Sequence, residues 1–574
     1  MVDLAKITEP LSLNRFGPRP QGPLILELDL TEGVADEAPG DPLSQIMNRR
    51  KQQYLEIVEG IRRGARDPKV GALIVRVDTR SLGPAKVQEL RDTITDFRAT
   101  GKPAVAWADT FGEAGAGTLP YYLATAFSRI ALSPTGLVGL SGLMSRSTFI
   151  KGALDKLDVK FEGGARHEYK NAIDPYTRTG YTDSHREAIG RIVESMNDQI
   201  VEAVATTRGL TTERVRELID TAPILAQEAL DSGLVDRLAY RDEVYAELDE
   251  QVRGRQDKAP EPTLRFVTRY HHRHATPPKP KFADTDDHIA LISAQGGITL
   301  GKSRHTPLSG PVMGSDTVCA AFRAARQDPR VRAVVFRVDS GGGSAIASDL
   351  IRRESQLTRE AGKPVITTMG DVAGSGGYYV ALGSDAIVAQ PATITGSIGV
   401  LTGKMVLGAL KERFGITSDS VQQGAHAGMF DSEKGFSDSE WERINTLLDT
   451  IYDDFVTKVA AARGRTWDEI HEVAKGRIWT GADALERGLV DELGGVETAV
   501  RLARDKAGAG ALPVRSFPRT HPLDRLRRHE SSEDLSANEP QTVLSAWGSL
   551  EHVAARLGLP TAGPLSMPGV WEIR

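Results

Sequence analysis

The sequence predicts an α/β protein built as a tandem duplication of one βαβ domain. Three observations carry this: words that recur in fixed order, short β-branched apolar runs, and a helical pattern between two of those runs. Asp67-Pro68-Lys69-Val70 returns as Asp328-Pro329-Arg330-Val331, displaced by 261. Arg76-Val77-Asp78 returns as Arg337-Val338-Asp339, and Gly101-Lys102-Pro103 as Gly362-Lys363-Pro364, at the same displacement. Tyr121-Tyr122 returns as Tyr378-Tyr379 at 257, and Gly233-Leu234-Val235-Asp236 as Gly488-Leu489-Val490-Asp491 at 255. A displacement that drifts so slowly marks two copies of one unit.

The strands come first. ALIVRVD (72–78) and AVVFRVD (333–339) are apolar runs of the length and composition of buried parallel strands. PAVAWAD (103–109), PVITTMGD (364–371) and AIVAQP (386–391) read alike. Between 339 and 364, Ile346, Leu350, Ile351 and Leu357 recur near helical spacing, and Gly362 closes the helix. Strand, helix, strand at this spacing predicts right-handed crossovers. The expected division is a first repeat over 1–250, a polar, Pro-rich linker over 251–285, a second repeat over 286–508, and a weakly ordered tail over 509–574. A short strand, LRFVTRY, is expected inside the linker, and one amphipathic stretch, VLSAWGSLEHVAARLG, inside the tail.

Composition narrows the function. The 574 residues carry 71 Lys and Arg against 77 Asp and Glu, a net charge of -6, so no nucleic-acid partner is expected. Cys319 is the single cysteine, which excludes an intrachain disulfide and a thiolate metal cluster. His271, His272 and His274 cluster in the linker; solvated histidines are the expectation there, and a metal site the alternative. The N-terminal residues show no signal-peptide pattern, and no apolar run is long enough to span a bilayer. A cytoplasmic or peripherally membrane-associated protein is expected.

Two glycine-rich turns of the second repeat, each directly after an expected strand, hold the candidate chemistry: Ser340-Gly341-Gly342-Gly343-Ser344 and Gly374-Ser375-Gly376-Gly377. Glycines at a strand-to-helix junction let backbone N–H groups approach a ligand, and a serine there can be a nucleophile with those amides as its oxyanion hole. A phosphate loop would need G-x-x-x-x-G-K-[ST], which is absent. A hydrolase elbow would need glycine at 373, where Ala stands.

The stretch from FRVDSGGGSAIASD through AGSGGYYVALGSD to TITGSIGV, with IWTGADALERGLVDELGG (478–495), resembles the protease IV/signal peptide peptidase A family of serine peptidases. Over roughly residues 20–510 the layout is similar to the long, two-domain members. The resemblance implies a Clp protease/crotonase-like fold, Ser375 as nucleophile, and Lys170 of HEYKNAIDPYT as general base. It further implies Ser397 as the residue that orients the lysine, with Gly376 and Gly342 or Gly343 as oxyanion donors. Peptide substrates such as cleaved signal peptides, a homo-oligomer, and no metal or organic cofactor follow from the same likeness. One position departs from it: the family's D-S-P-G-G has Gly341 in place of proline.

The duplication points the same way without the family. At displacement 257, Ser375 corresponds to Thr118 and Ser397 to Leu140, while Gly341 to Gly343 correspond at 261 to Arg80, Ser81 and Leu82. Lys170 in turn maps onto Ala425, His426 or Ala427. Each copy has lost what the other keeps, so one composite site is expected. An acyl-CoA enzyme of the same fold and a non-catalytic scaffold are the alternatives at this stage. For Lys170 to act as a base, its pKa must fall from about 10.4 toward 7, roughly 4 to 5 kcal/mol against the ammonium, which interface burial can supply.

Overall fold

The computed structural model of the chain describes residues 22–35, 52–113, 115, 117–254, 260–274, 286–306, 310–518, 541–542 and 565–566. In the first repeat β1 (Leu24–Asp29) is followed by α1 (Tyr54–Arg66), β2 (Val70–Arg76), α2 (Pro84–Ala99), β3 (Ala104–Ala108), α3 (Thr118–Ala124) and β4 (Arg129–Leu132). An arm carrying β5 (Lys160–Ala165) comes next, then the long α4 (Asp183–Arg208), β6 (Arg237–Leu238), β7 (Thr263–Phe266) and α5 (Val267–His274). The sheet runs β6-β4-β3-β2-β1-β7, parallel throughout.

The second repeat follows the same plan. It comprises β8 (His288–Gln295), α6 (Ser315–Gln327), β9 (Val331–Ser340), β10 (Gly342–Gly343), α7 (Ala345–Glu360), β11 (Val365–Gly374), α8 (Gly376–Ala381) and β12 (Ala386–Ala389). After them come β13 (Ile394–Gly396), β14 (Leu401–Val406), α9 (Asp438–Arg463), α10 (Trp467–Val473), β15 (Ile478–Thr480) and β16 (Val514–Ser516). Its sheet runs β15-β13-β11-β9-β8-β16, with β12 also paired to β11 and only β15 antiparallel. The long helices α4 and α9 match in detail. Both have 26 residues, and both close on a left-handed glycine, Gly209 and Gly464. An apolar core fills each unit, centred on Leu26, Leu73 and Phe97 in the first and on Val334, Phe336 and Tyr378 in the second.

Four sequence expectations are corrected. The linker is shorter than 251–285, because β7 joins the first sheet beside β1 and Val267 and Tyr270 of α5 are buried in its core. LRFVTRY is strand only to Phe266. The histidines therefore stand on a helix: His272 faces Glu56 at 3.2 Å, and His274 Nδ1 lies 3.0 Å from the Tyr270 carbonyl. Among the described residues no group of three or more potential ligands gathers around a metal position. The second repeat reaches past 508, because β16 pairs with β8. Helix α7 is where expected, but its buried face is Ala347, Ser348, Ile351, Ser355 and Thr358, while Ile346 is 65% exposed. A small residue is needed at Ser348 because α8 passes close by: a Cβ on Gly376 would lie 2.8 Å from Ser348 Oγ. The amphipathic tail stretch lies outside the described residues.

The two units are joined by buried charge as well as by apolar contact. Arg337 of β9 donates to both Glu89 carboxylate oxygens of α2, at 3.2 and 2.9 Å, and the Tyr54 hydroxyl donates to the same carboxylate at 3.0 Å. Burial alone would raise the pKa of Glu89, but the Arg337 charge and its hydrogen bonds hold it down to about 2. Lys86 meets Asp339 at 2.8 Å and Asp371 at 3.3 Å across the same boundary. The arm of the first repeat also crosses, with β5 pairing antiparallel to β14 from Ala165↔Leu401 to Lys160↔Val406.

Candidate active site

Ser375 stands between the end of β11 and the start of α8, as the cap residue, at φ 55° and ψ -118°. A non-glycine residue pays for that backbone conformation and keeps it only where its surroundings fix it. Here the fixing is plain. The Ser375 N–H donates to the Gly396 carbonyl of β13 at 2.8 Å, and the Ser375 carbonyl accepts from Tyr378 and Tyr379. A sharp strand-to-helix turn lifts the hydroxyl out of the sheet line.

Lys170 arrives from the arm of the first repeat, just beyond β5. Its Nζ lies 2.8 Å from Ser375 Oγ, 3.0 Å from Ser397 Oγ and 3.0 Å from the Ser397 carbonyl. A neutral amine has two N–H donors and one lone pair, which these three partners satisfy when the Ser375 hydroxyl points its proton at nitrogen. Lys170 is 3% exposed and Ser375 fully buried. Burial pushes the lysine pKa down from 10.5 to about 7. Two glycines make room for it. A Cβ on Gly399 would lie 3.2 Å from Lys170 Cδ, and one on Gly476 would lie 2.6 Å from both Lys170 Cβ and its backbone nitrogen. Sequence reasoning assigned neither glycine a role, because only the folded approach of the arm gives them one.

The glycine loop of β10 lies against the same turn. A Cβ on Gly376 would be 3.1 Å from both Gly342 Cα and the Gly343 nitrogen. The Gly342 N–H donates to Ser340 Oγ at 3.1 Å. Gly343 needs to be glycine, since a Cβ there would fall 2.2 Å from the Ile298 carbonyl oxygen. Backbone of the C-terminal segment, Leu565–Ser566, pairs antiparallel with Gly343 and Gly342. In the first repeat the corresponding place is closed, with Thr118 Oγ1 donating to the Gly142 carbonyl at 2.8 Å. The counterpart of Lys170 in the second repeat is a segment where the His426 ring lies 3.2 Å from Ser439 Oγ.

A buried hydroxyl, a lysine beside it and a glycine loop at the same turn also coincide with a sequence match. The model of peptidase family S49 matches residues 96–254 and 358–510, one region in each repeat. The chain belongs to peptidase family S49. Among relatives, it is 31% identical over 457 residues to a serine protease SPPA, chloroplastic, of Arabidopsis thaliana, covering 79% of this chain and 65% of that one. It therefore spans a little under two thirds of that relative's length. It is 33% identical over 469 residues to Protease 4 of Salmonella typhi, covering 80% of this chain and 72% of that one. A putative signal peptide peptidase SppA of Enterococcus faecium is 35% identical over 175 residues, 30% of this chain and 51% of that one. Among the described residues no helix is long and apolar enough to cross a membrane.

Proposed function

We propose that this S49 member is a serine endopeptidase in which Ser375 attacks the peptide carbonyl and Lys170 serves as the base. The observation that carries this is the 2.8 Å contact between Lys170 Nζ and Ser375 Oγ inside a buried pocket. Lys170 takes the hydroxyl proton as Oγ bonds to the carbonyl carbon. The tetrahedral oxyanion sits between the Gly343 and Gly376 N–H groups, since the Gly342 N–H is committed to Ser340. Lys170 then passes the proton to the leaving amine, and the C–N bond breaks to leave an acyl-enzyme. A water enters, loses a proton to Lys170, and releases the acid as Ser375 regains its hydrogen. Ser397 holds Lys170 through its hydroxyl and carbonyl throughout.

Extended peptides are the substrate class, and signal peptides or other membrane-derived peptides the proposed source. The antiparallel pairing of Leu565–Ser566 with Gly342–Gly343 supports recognition of an extended chain at that edge. Turnover of a signal-peptide substrate should be abolished by Ser375→Ala and nearly abolished by Lys170→Met. Retention of normal turnover in either would overturn the assignment.

A second copy of the chain is the proposed partner. Within one chain, β5 of the first repeat pairs with β14 of the second. At the 257-residue displacement the counterparts are 144–149 and 417–422, and both lie outside the strands. Apolar side chains there face water, Met144 at 49% and Val421 at 99% exposed, and Phe414 and Ile416 just before 417–422 are exposed at 72% and 55%. Pairing 417–422 of one copy with 144–149 of the next would repeat the internal joint head to tail as a heterologous contact, which builds a ring where its rotation closes. Light scattering should give a multiple of the monomer mass, and Val421→Asp should reduce it. A fully active monomer would refute the assembly.

A further inference from the structure

We propose that His167 and Tyr452 are positioning residues that hold Lys170 in register with Ser375; this rests on the Ser375/Lys170 assignment above. The turn that presents the lysine begins at His167, a non-glycine residue at φ 66°. The Lys170 N–H donates back to the His167 carbonyl at 3.4 Å, and the Asn171 N–H to the Tyr169 carbonyl at 3.0 Å. Within the first repeat the turn is braced at the Glu168 carbonyl, which accepts from Asn171 Nδ2 at 3.1 Å and Ser184 Oγ at 2.7 Å, while the His167 ring reaches beyond these bonds. A strained residue persists where its neighbours over-determine it, and the neighbours of His167 come from the second repeat.

Its ring packs on Tyr452 of α9 at 4.4 Å between centroids and on His471 of α10 at 4.8 Å. Trp467 stacks on the far side of His471 at 4.7 Å with an interplanar angle of 13°. The Tyr452 hydroxyl makes two bonds, one with His471 Nδ1 at 2.9 Å and one from the Lys475 N–H at 3.3 Å. Lys475 is itself left-handed, at φ 53°, and its carbonyl accepts the Tyr169 N–H at 3.2 Å. Gly476, the next residue, is the one whose missing Cβ lets the Lys170 backbone lie flat against it. Its N–H donates to the Ile398 carbonyl at 2.8 Å, and the Arg477 carbonyl accepts the Ser397 N–H at 2.7 Å. One hydroxyl thus ties α9 and α10 to the strip 475–477, which supports both the Lys170 turn and the Ser397 segment.

The ring cluster fits this role electrostatically. Burial and the neighbouring His471 lower the His167 pKa, so the ring is neutral where a lysine base works and packs without like-charge repulsion. The charged side chains around it are Arg166, Glu168 and Lys475, with Asp449 of α9 on Arg166. Glu168 and Glu472 face Tyr452. None of these groups perturbs Lys170, whose lowered pKa comes from burial. The cluster therefore acts on the lysine through place rather than through charge. A displacement of about 1 Å at a proton-transfer contact is enough to cost on the order of a hundredfold in rate.

Two variants test this. Tyr452→Phe keeps the ring and removes the two hydroxyl bonds. His167→Asn removes the ring and keeps a residue that tolerates left-handed backbone. Each should lower kcat by about ten- to a hundredfold with KM within about twofold, and raise the pH midpoint of activity as water reaches Lys170. Labelling of Ser375 by a fluorophosphonate should slow in parallel, with unchanged circular dichroism. Folded variants with wild-type kcat and pH midpoint would overturn the proposal, as would a loss expressed in KM alone. Lys170→Met, run beside them, separates the two readings. If it stays active, the dyad itself is wrong; if it is dead while both variants match wild type, only the positioning role falls.

Discussion

Replacing Lys170 by methionine should abolish turnover and, at neutral pH, stabilise the protein. The lysine is buried, and its pKa falls from 10.5 to about 7 with desolvation as the cause. At about 1.4 kcal/mol per pH unit, that displacement means roughly 5 kcal/mol set against the folded state whenever the unfolded lysine is charged. The sign follows from proton counts. Between about pH 7 and 10.5 the unfolded chain holds the proton and the folded chain does not, so wild-type stability rises with pH across that window; below 7 the full penalty stands. Methionine removes the penalty and forfeits three hydrogen bonds at about 1 kcal/mol each, which leaves the variant ahead by roughly 2 kcal/mol near pH 7. The lead shrinks by about 1.4 kcal/mol per pH unit, so the order reverses above about pH 8.5. Urea unfolding of both proteins across this range is the assay, and the two stability curves should cross. Parallel curves would refute the burial argument and with it the reason a lysine can act as base here.

Gly343→Ala should cost tenfold or more in kcat, because its Cβ would fall 2.2 Å from the Ile298 oxygen and push the amide away from the oxyanion; steady-state kinetics on the folded variant checks it. Glu89→Gln, which removes the anion facing Arg337 at 2.9 Å between the repeats, should lower stability by roughly 3 to 5 kcal/mol in thermal unfolding. The wild-type Glu89 contribution should be complete above about pH 4.5 and fade as pH falls toward 2. Removing residues 560–574 should raise peptide turnover severalfold by freeing the Gly342–Gly343 edge, and unchanged kinetics would show that Leu565–Ser566 does not compete with substrate.

The duplication was the most legible feature, because recurrence of whole words does not depend on context. Strand positions followed from apolar runs such as ALIVRVD, whose burial on both faces leaves little else for them to be. The roles proposed for Ser375 and Lys170 came from the family resemblance, and the opposite divergence of the copies, with Thr118 and Ala425 to Ala427 at the corresponding places, supported them. Other features depended on neighbours distant in sequence. Of the four apolar residues whose spacing marked α7, Ile351 is buried while Ile346 and Leu350 are exposed, because α8 packs closely enough that Ala347, Ser348 and Ser355 fill much of the inward face. The linker was drawn too long because proline and histidine mark a loop by composition, while Val267 and Tyr270 decide the fold by burial. Nothing local marks His167 and Tyr452, which are 285 residues apart and meet only when the arm docks.

The composite site is tested most directly by fluorophosphonate labelling of the full-length protein as a function of pH. Wild type should label at Ser375 with a rate that rises through a midpoint near 7, the value burial imposes on Lys170. Ser375→Ala should not label, Lys170→Met should label at a small fraction of the wild-type rate with no such midpoint, and Thr118→Ala should match wild type. Labelling of Lys170→Met at the wild-type rate, or a wild-type midpoint near 10, would contradict a nucleophile from one repeat activated by a base from the other.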